Sequence, residues 1–281
     1  MTSRPASDAA RSDEVTRCRP SLRLGSHTKF MLSGASSYTT LTGLLLVNAL
    51  RAILFDKDGT LVDFDRTWGP SAGAVMAHLA GEDSDALERL HAVTHYLPAE
   101  QRFLQTSPLI AGSSRQYGPL WAEVLGRPSD MAFFHEIDQL FIAEGRRYLT
   151  PIGHPAQELA RLHEAGLPLG IATNDAEANA KIQAELLGLT GMLQAIYGYD
   201  SGYGSKPAPG MIEAFCQLTG LPPSAVALVG DTHHDFATAR AAGAISVLVR
   251  CGPTPVDDFA DQADLVVDNV AQLADMLLAK V

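Results

Sequence analysis

The hydrophobic positions of this chain fall into two rhythms. Residues 52–55 (Ala-Ile-Leu-Phe) form an uninterrupted apolar run, as in a strand buried on both faces, and the run stops abruptly at Asp56. The spacing then turns helical through residues 67–80, 84–96, 98–105, 117–125 and 129–148, with Ser84 and Ser129 expected as N-caps ahead of acidic first turns. Within the last stretch Phe133, Ile137, Leu140, Phe141 and Glu144 share one face, the pattern of a helix packed on its neighbours. From Pro151 helices and strands alternate. Helices are expected over 154–165, 176–187, 209–218, 235–242 and 270–279, and strands over 169–172, 195–199, 225–229 and 245–249. This alternation predicts an α/β fold, a parallel Rossmann-like sheet with helices on both faces, which binds ligands beyond the carboxyl ends of its strands. The expected organisation is an α/β core over 47–64 and 150–281, an inserted α-helical cap over 65–149, and a poorly ordered extension over 1–46.

Composition narrows the classes of function. A length of 281 residues with 46% hydrophobic and 19% charged residues suits a globular protein with a sizeable core. A formal net charge of −11 disfavours nucleic acid and anionic membranes as partners but leaves room for one small phosphorylated ligand. Cys18, Cys216 and Cys251 are too few and too scattered for a disulfide framework or a cysteine metal site, so a cytoplasmic setting is expected. The longest apolar run, 41–50, falls short of the roughly 20 residues that cross a bilayer. The first 46 residues mix arginine with Asp8, Asp13 and Glu14 and lack the apolar region of a leader; Met31 is an alternative start.

Polar chemistry gathers where the strands end. Asp56 and Asp58 follow the first strand, Thr173 and Asn174 the second, and Asp231 and Asp235 the run at 225–229. On one sheet edge these residues share a crevice, and so many carboxylates together require a counter-charge. Oxygen donors of this kind suit Mg²⁺, which binds a few carboxylates and a substrate phosphate. Thr173, Asn174 and the helix start behind them supply anion-binding donors, and Lys206, held in Gly-Ser-Lys-Pro, can lean over the same edge. The orientation of Lys57 stays open at this stage. His233 and His234 are read as helix-start or surface residues, because Mg²⁺ prefers oxygen ligands.

Taken together, Phe55-Asp56-Lys57-Asp58-Gly59-Thr60-Leu61-Val62, Thr173-Asn174, Lys206-Pro207 and Gly230-Asp231-x-x-x-Asp235 resemble the four motifs of the haloacid dehalogenase superfamily, in the right order. The stretch between the first two resembles the helical cap of phosphoglycolate-phosphatase-like members. The resemblance implies a Mg²⁺-dependent phosphatase acting on a small phosphorylated metabolite such as phosphoglycolate. Asp56 would be the nucleophile, Asp58 the general acid and base, and Lys206 the stabilising cation. Thr173 and Asn174 would bind the phosphate. The metal would be held by Asp56, the Asp58 backbone carbonyl and Asp231, with Asp235 either supporting that shell or orienting Lys206. Arg115, in the loop Gly112-Ser113-Ser114-Arg115, is a candidate for a distal acid group of the substrate. Alternatives are a 2-haloacid dehalogenase, against which Asp58 argues, and a non-catalytic phosphate-binding or signalling protein of the same fold. A monomer or a homodimer is expected.

Overall fold

A computed structural model describes residues 49–279, so the extension expected over 1–46 lies outside the described residues. β1 (Ala52–Phe55) is fully buried and alternates its side chains between two apolar clusters. Ile53 and Phe55 face one cluster, and Ala52 and Leu54 the other. The chain then leaves the sheet. α1 (Phe64–Ala80) is capped by Asp63, whose carboxylate accepts from the Arg66 N–H, and α2 (Ser84–Thr94) is capped by Asp83. β2 (Tyr96–Leu97) and β3 (Arg102–Phe103) form a short antiparallel hairpin. α3 (Ser114–Leu125) and α4 (Met131–Tyr148), the latter capped by Asp130, complete the insert. These helices carry an apolar cluster of their own, including Phe64, Trp121, Phe133, Ile137 and Phe141.

Three local expectations are corrected here. The helix expected over 98–105 is the β2–β3 hairpin, with Gln101 at φ 49° in its turn and Tyr96 and Phe103 packed at 5.4 Å. Pro98 and Glu100 imitate a helix start, but burying both aromatics needs the chain to double back. The caps expected at Ser84 and Ser129 belong to Asp83 and Asp130, one residue to either side, whose carboxylates accept from Ala86 and Phe133.

After the insert come α5 (Pro155–Glu164), β4 (Leu169–Ala172), α6 (Glu177–Leu186), β5 (Leu193–Tyr197), α7 (Gly210–Thr219), β6 (Val226–Gly230), α8 (His233–Ala242), β7 (Ile245–Val249), β8 (Leu265–Val267) and α9 (Val270–Leu278). The six core strands are parallel in the order β5-β4-β1-β6-β7-β8, an α/β Rossmann-like sheet. Residues of α5 and α9 pack on one face, and residues of α7 and α8 on the other. Edge strand β8 was not anticipated; three residues between Asp264 and Asp268 are too short to show a period. The order reverses beside β1, where chain crossovers depart in opposite directions and open a crevice at the strand ends. β5 ends at Tyr197 rather than at 199, which leaves Tyr199 in the loop beyond the strand.

Candidate active site

Four segments distant in sequence meet at that crevice. Lys206 Nζ lies 2.6 Å from Asp56 Oδ1 and 2.6 Å from Asp235 Oδ1, and all three side chains are buried. Oxygens of Asp56, Asp231 and Asp235 lie within 4.8 Å of one another. The capping box of α8 engages Asp235 further, with Oδ2 accepting from the Thr232 backbone N–H at 3.0 Å and from the Thr232 hydroxyl at 2.6 Å. Both Asp235 oxygens are thus occupied. Asp235 therefore orients Lys206 and also brings an oxygen into the acidic group with Asp56 and Asp231.

Asp231 is different. Its Oδ1 accepts a long bond from Thr60 Oγ1 at 3.3 Å, and its fully buried Oδ2 has no partner among the described residues. Gly59 (φ 81°) and Gly252 press on this carboxylate so closely that a Cβ would stand 2.3 Å and 2.0 Å from Oδ2. Burial, followed by the charge of Asp56, pushes Asp231 well above the usual carboxylate range. Asp56 is pushed up to about 7, by burial first, with Lys206 pulling it down and Asp235 and Asp58 raising it. Burial works against the Lys206 ammonium, yet Asp235 and Asp56 outweigh it and its pKa rises. An orphaned buried carboxylate oxygen beside a second raised carboxylate is an arrangement that a hard divalent cation relieves, so these residues fit Mg²⁺.

The Asp58 carboxylate stands apart from that acidic group. Both its oxygens lie 2.7 Å from Lys57 Nζ, and Oδ1 also accepts from Trp68 Nε1 at 2.5 Å. Lys57, left open by the sequence, is among the most deeply buried large side chains. It also bonds Gln183 Oε1 at 2.7 Å and lies 3.1 Å from Asp175 Oδ2.

Thr173 is buried, and its hydroxyl accepts from the Asp175 N–H at 3.1 Å. The Asn174 amide, expected at the phosphate, is a cross-link instead. Nδ2 donates to Ala111 O at 2.8 Å and to Lys206 O at 3.1 Å, while Oδ1 accepts from the Lys206 N–H at 2.8 Å. The N–H groups of Asp58 and Asn174 have no backbone partner among the described residues, so they are the donors free to meet an anion. Arg115 departs from expectation as well. It is exposed, stacks over the Tyr199 ring at 5.1 Å and does not line the cavity, because the start of α3 turns Ser113 and Ser114 inward.

The cavity encloses about 70 Å³ between sheet edge and insert. Asp56, Asp58, Thr173, Asn174 and Lys206 line its base; Trp68, Tyr117, Asp138, Tyr199 and His234 line its walls. Sequence reasoning missed Trp68, Asp138 and Tyr199, and no signal marked them, since aromatic and acidic positions on helices are mostly core or solvent face. His234, read as a helix-start or surface residue, does begin α8 but is half-buried against the cavity, whereas His233 is exposed against Phe259.

A family model described as a haloacid dehalogenase-like hydrolase matches residues 50–243. The chain belongs to that family. This hydrolase is 29% identical over 236 residues to a phosphoglycolate phosphatase of Chromobacterium violaceum, covering 81% of this chain and 96% of the relative. It is 28% identical, over 81% of this chain and 95% of the relative, to an N-acetylmuramic acid 6-phosphate phosphatase of Pseudomonas aeruginosa. Among solved structures, CbbY from Rhodobacter sphaeroides in complex with phosphate aligns with a TM-score of 0.59 at 20% identity, over 80% of this chain and 96% of that one. That likeness shows the shared fold. Among the described residues no helix is long and apolar enough to cross a membrane.

Proposed function

We propose that this hydrolase is a Mg²⁺-dependent phosphatase that cleaves a small phosphomonoester, of about the size of phosphoglycolate, through a phosphorylated Asp56. One observation carries the reading: Asp56 lies buried against Lys206 and Asp231 at the base of a small cavity that Asp58 also lines. The relatives named above, called phosphatases for two different esters, support the reaction and leave the alcohol open.

Asp56 attacks phosphorus in line, forming an Oδ–P bond as the P–O bond to the leaving alcohol breaks. Asp58 gives that oxygen a proton, then takes one from the water that attacks the phosphorylated aspartate, breaking the Oδ–P bond and releasing phosphate. Lys206 offsets charge on Asp56 and on a phosphoryl oxygen, held in place by Asp235. The Thr173 hydroxyl and the free N–H groups of Asp58 and Asn174 hold the phosphoryl oxygens. When bound by Asp56, Asp231 and the Asp58 carbonyl, Mg²⁺ supplies Lewis-acid neutralisation of charge between nucleophile and phosphoryl group. The helices of residues 65–149 act as a cap that excludes water and meets the leaving group.

A panel of phosphate esters assayed with and without Mg²⁺, with Asp56→Asn as control, tests this. Mg²⁺-dependent release of phosphate, lost by at least a factor of about a thousand in Asp56→Asn, is the expected result. Equal turnover by the variant removes Asp56 as nucleophile, and no turnover of any ester favours a binding protein.

A further inference from the structure

The wall of the cavity is charged in one direction. Asp138 on α4 lines the same space as Asp56 and Lys206, and its Oδ2 accepts a 2.6 Å bond from the Tyr199 hydroxyl. That hydroxyl lies 3.0 Å from Ser114 Oγ, so α3, α4 and the loop after β5 together hold the carboxylate in place. No cation faces it. Lys206 is engaged by Asp56 and Asp235 at 2.6 Å each, and Arg115 is exposed on the outside. His234 sits in the first turn of α8, where the helix dipole disfavours a positive charge. Lys57 is buried among Asp58, Asp175 and Gln183 and does not line the cavity.

A substrate carrying a second acid on its leaving group therefore brings a negative charge towards Asp138 with no positive partner, and like charges in a confined space discriminate by repulsion. A group that donates hydrogen bonds finds a fixed acceptor in the same place. We propose that Asp138 selects a phosphomonoester whose leaving alcohol carries a further hydrogen-bond donor, a hydroxyl or an ammonium, and rejects one whose leaving alcohol carries a carboxylate. This rests on the phosphatase reading above, keeps its small size, and departs from a phosphoglycolate-like charge.

Three esters of similar size separate the cases: glycerol 3-phosphate (hydroxyl), phosphoethanolamine (ammonium) and phosphoglycolate (carboxylate). For the wild-type chain with Mg²⁺, kcat/KM for one of the first two exceeds that for phosphoglycolate at least tenfold. In Asp138→Asn, which keeps the side chain's size and removes its charge, that ratio shrinks at least tenfold, mainly through KM for phosphoglycolate. Titration calorimetry of the same esters into Asp56→Asn with Mg²⁺ reads the preference without turnover. Tighter binding of phosphoglycolate than of both other esters, an unchanged ratio in Asp138→Asn, or no binding of any of the three overturns the assignment. Discriminating binding with no wild-type hydrolysis sinks the phosphatase reading and upholds Asp138 as the selector. Should Asp138→Asn fail to fold, the wild-type and Asp56→Asn preferences decide alone.

Discussion

Lys57 Nζ sits 2.7 Å from each oxygen of the Asp58 carboxylate, although the two residues are neighbours in sequence. The lysine folds back beneath the strand end instead of reaching solvent, and Asp175, Gln183 and the Trp68 ring at 4.9 Å complete its cage. Burial opposes its charge, but Asp58 and Asp175 raise its pKa on balance. Lys57→Met leaves both carboxylates without a counter-charge. Removing one partner of a buried pair costs roughly 3–5 kcal/mol, and because both acids border the cavity, where water can enter, the expected loss is near about 3 kcal/mol. The midpoint and slope of urea unfolding measure it.

Metal-free protein loses stability as pH rises from about 4 to about 7. Asp56 binds its proton more tightly when folded, its pKa rising from 3.8 to about 7, so in that window the native state holds a proton that the unfolded chain has released. The contribution is complete below the unfolded value and gone above the folded one, with Asp231 acting in the same sense. Mg²⁺ reverses the loss at neutral pH, since it replaces the proton as counter-charge. Thermal unfolding against pH, with and without Mg²⁺, shows this as a Mg²⁺-dependent rise in Tm at pH 7 that is absent in Asp231→Asn.

Asp58→Ala separates esters by leaving group. General acid catalysis contributes about 10²- to 10⁴-fold where the departing oxygen needs a proton. Alkyl phosphates should therefore lose two or more powers of ten in kcat/KM, which reports the first displacement, on that scale, while p-nitrophenyl phosphate, which leaves as a stable phenolate, loses much less in kcat/KM. A uniform loss across leaving groups is the result that removes Asp58 from this role.

Asn174→Ala breaks the junction between the loop at Ala111 and the backbone of Lys206. The buried N–H and C=O of Lys206 are left unpaired, at about 1–3 kcal/mol for such groups. Lower stability and a raised KM are expected together, because the same backbone positions the lysine.

Gly252→Ala places a methyl where Asp231 Oδ2 now lies, since the Cβ would come within 2.0 Å of it. The carboxylate must move, so the Mg²⁺-dependent gain in Tm disappears. Far-ultraviolet circular dichroism checks that the fold persists.

Much of this site is legible before folding because it is built at strand ends. An apolar run that stops at Asp56, or at Gly230-Asp231, marks both the end of burial and the edge where ligands bind, so Asp56 and Asp231 can be gathered from sequence alone, and Lys206 joins them through its Gly-Ser-Lys-Pro setting and the family resemblance. The wall of the cavity is not legible in that way. Asp138 and Trp68 lie on helices whose polar and aromatic positions look like solvent face and core, and Tyr199 counts as a strand residue until β5 is seen to end at Tyr197. Arg115 shows the converse error: a cation in a promising loop need not point inward, and this one caps the outside of Tyr199.

By itself the sequence determined the parallel α/β sheet, the helical insert and the kinds of group at each strand end, because periodicity and burial act along the chain and leave their record in it. Only the tertiary structure decided which of those groups are already engaged. Asp235 has both oxygens bonded by Lys206 and Thr232, Asn174 is bonded to two distant backbones, and Lys57 is drawn into the interior, while Asp231 keeps an oxygen without a partner among the described residues. A polar group's few hydrogen bonds are claimed by whichever neighbours the fold brings within about 3 Å, and those neighbours come from segments whose distance in sequence carries no trace of the meeting.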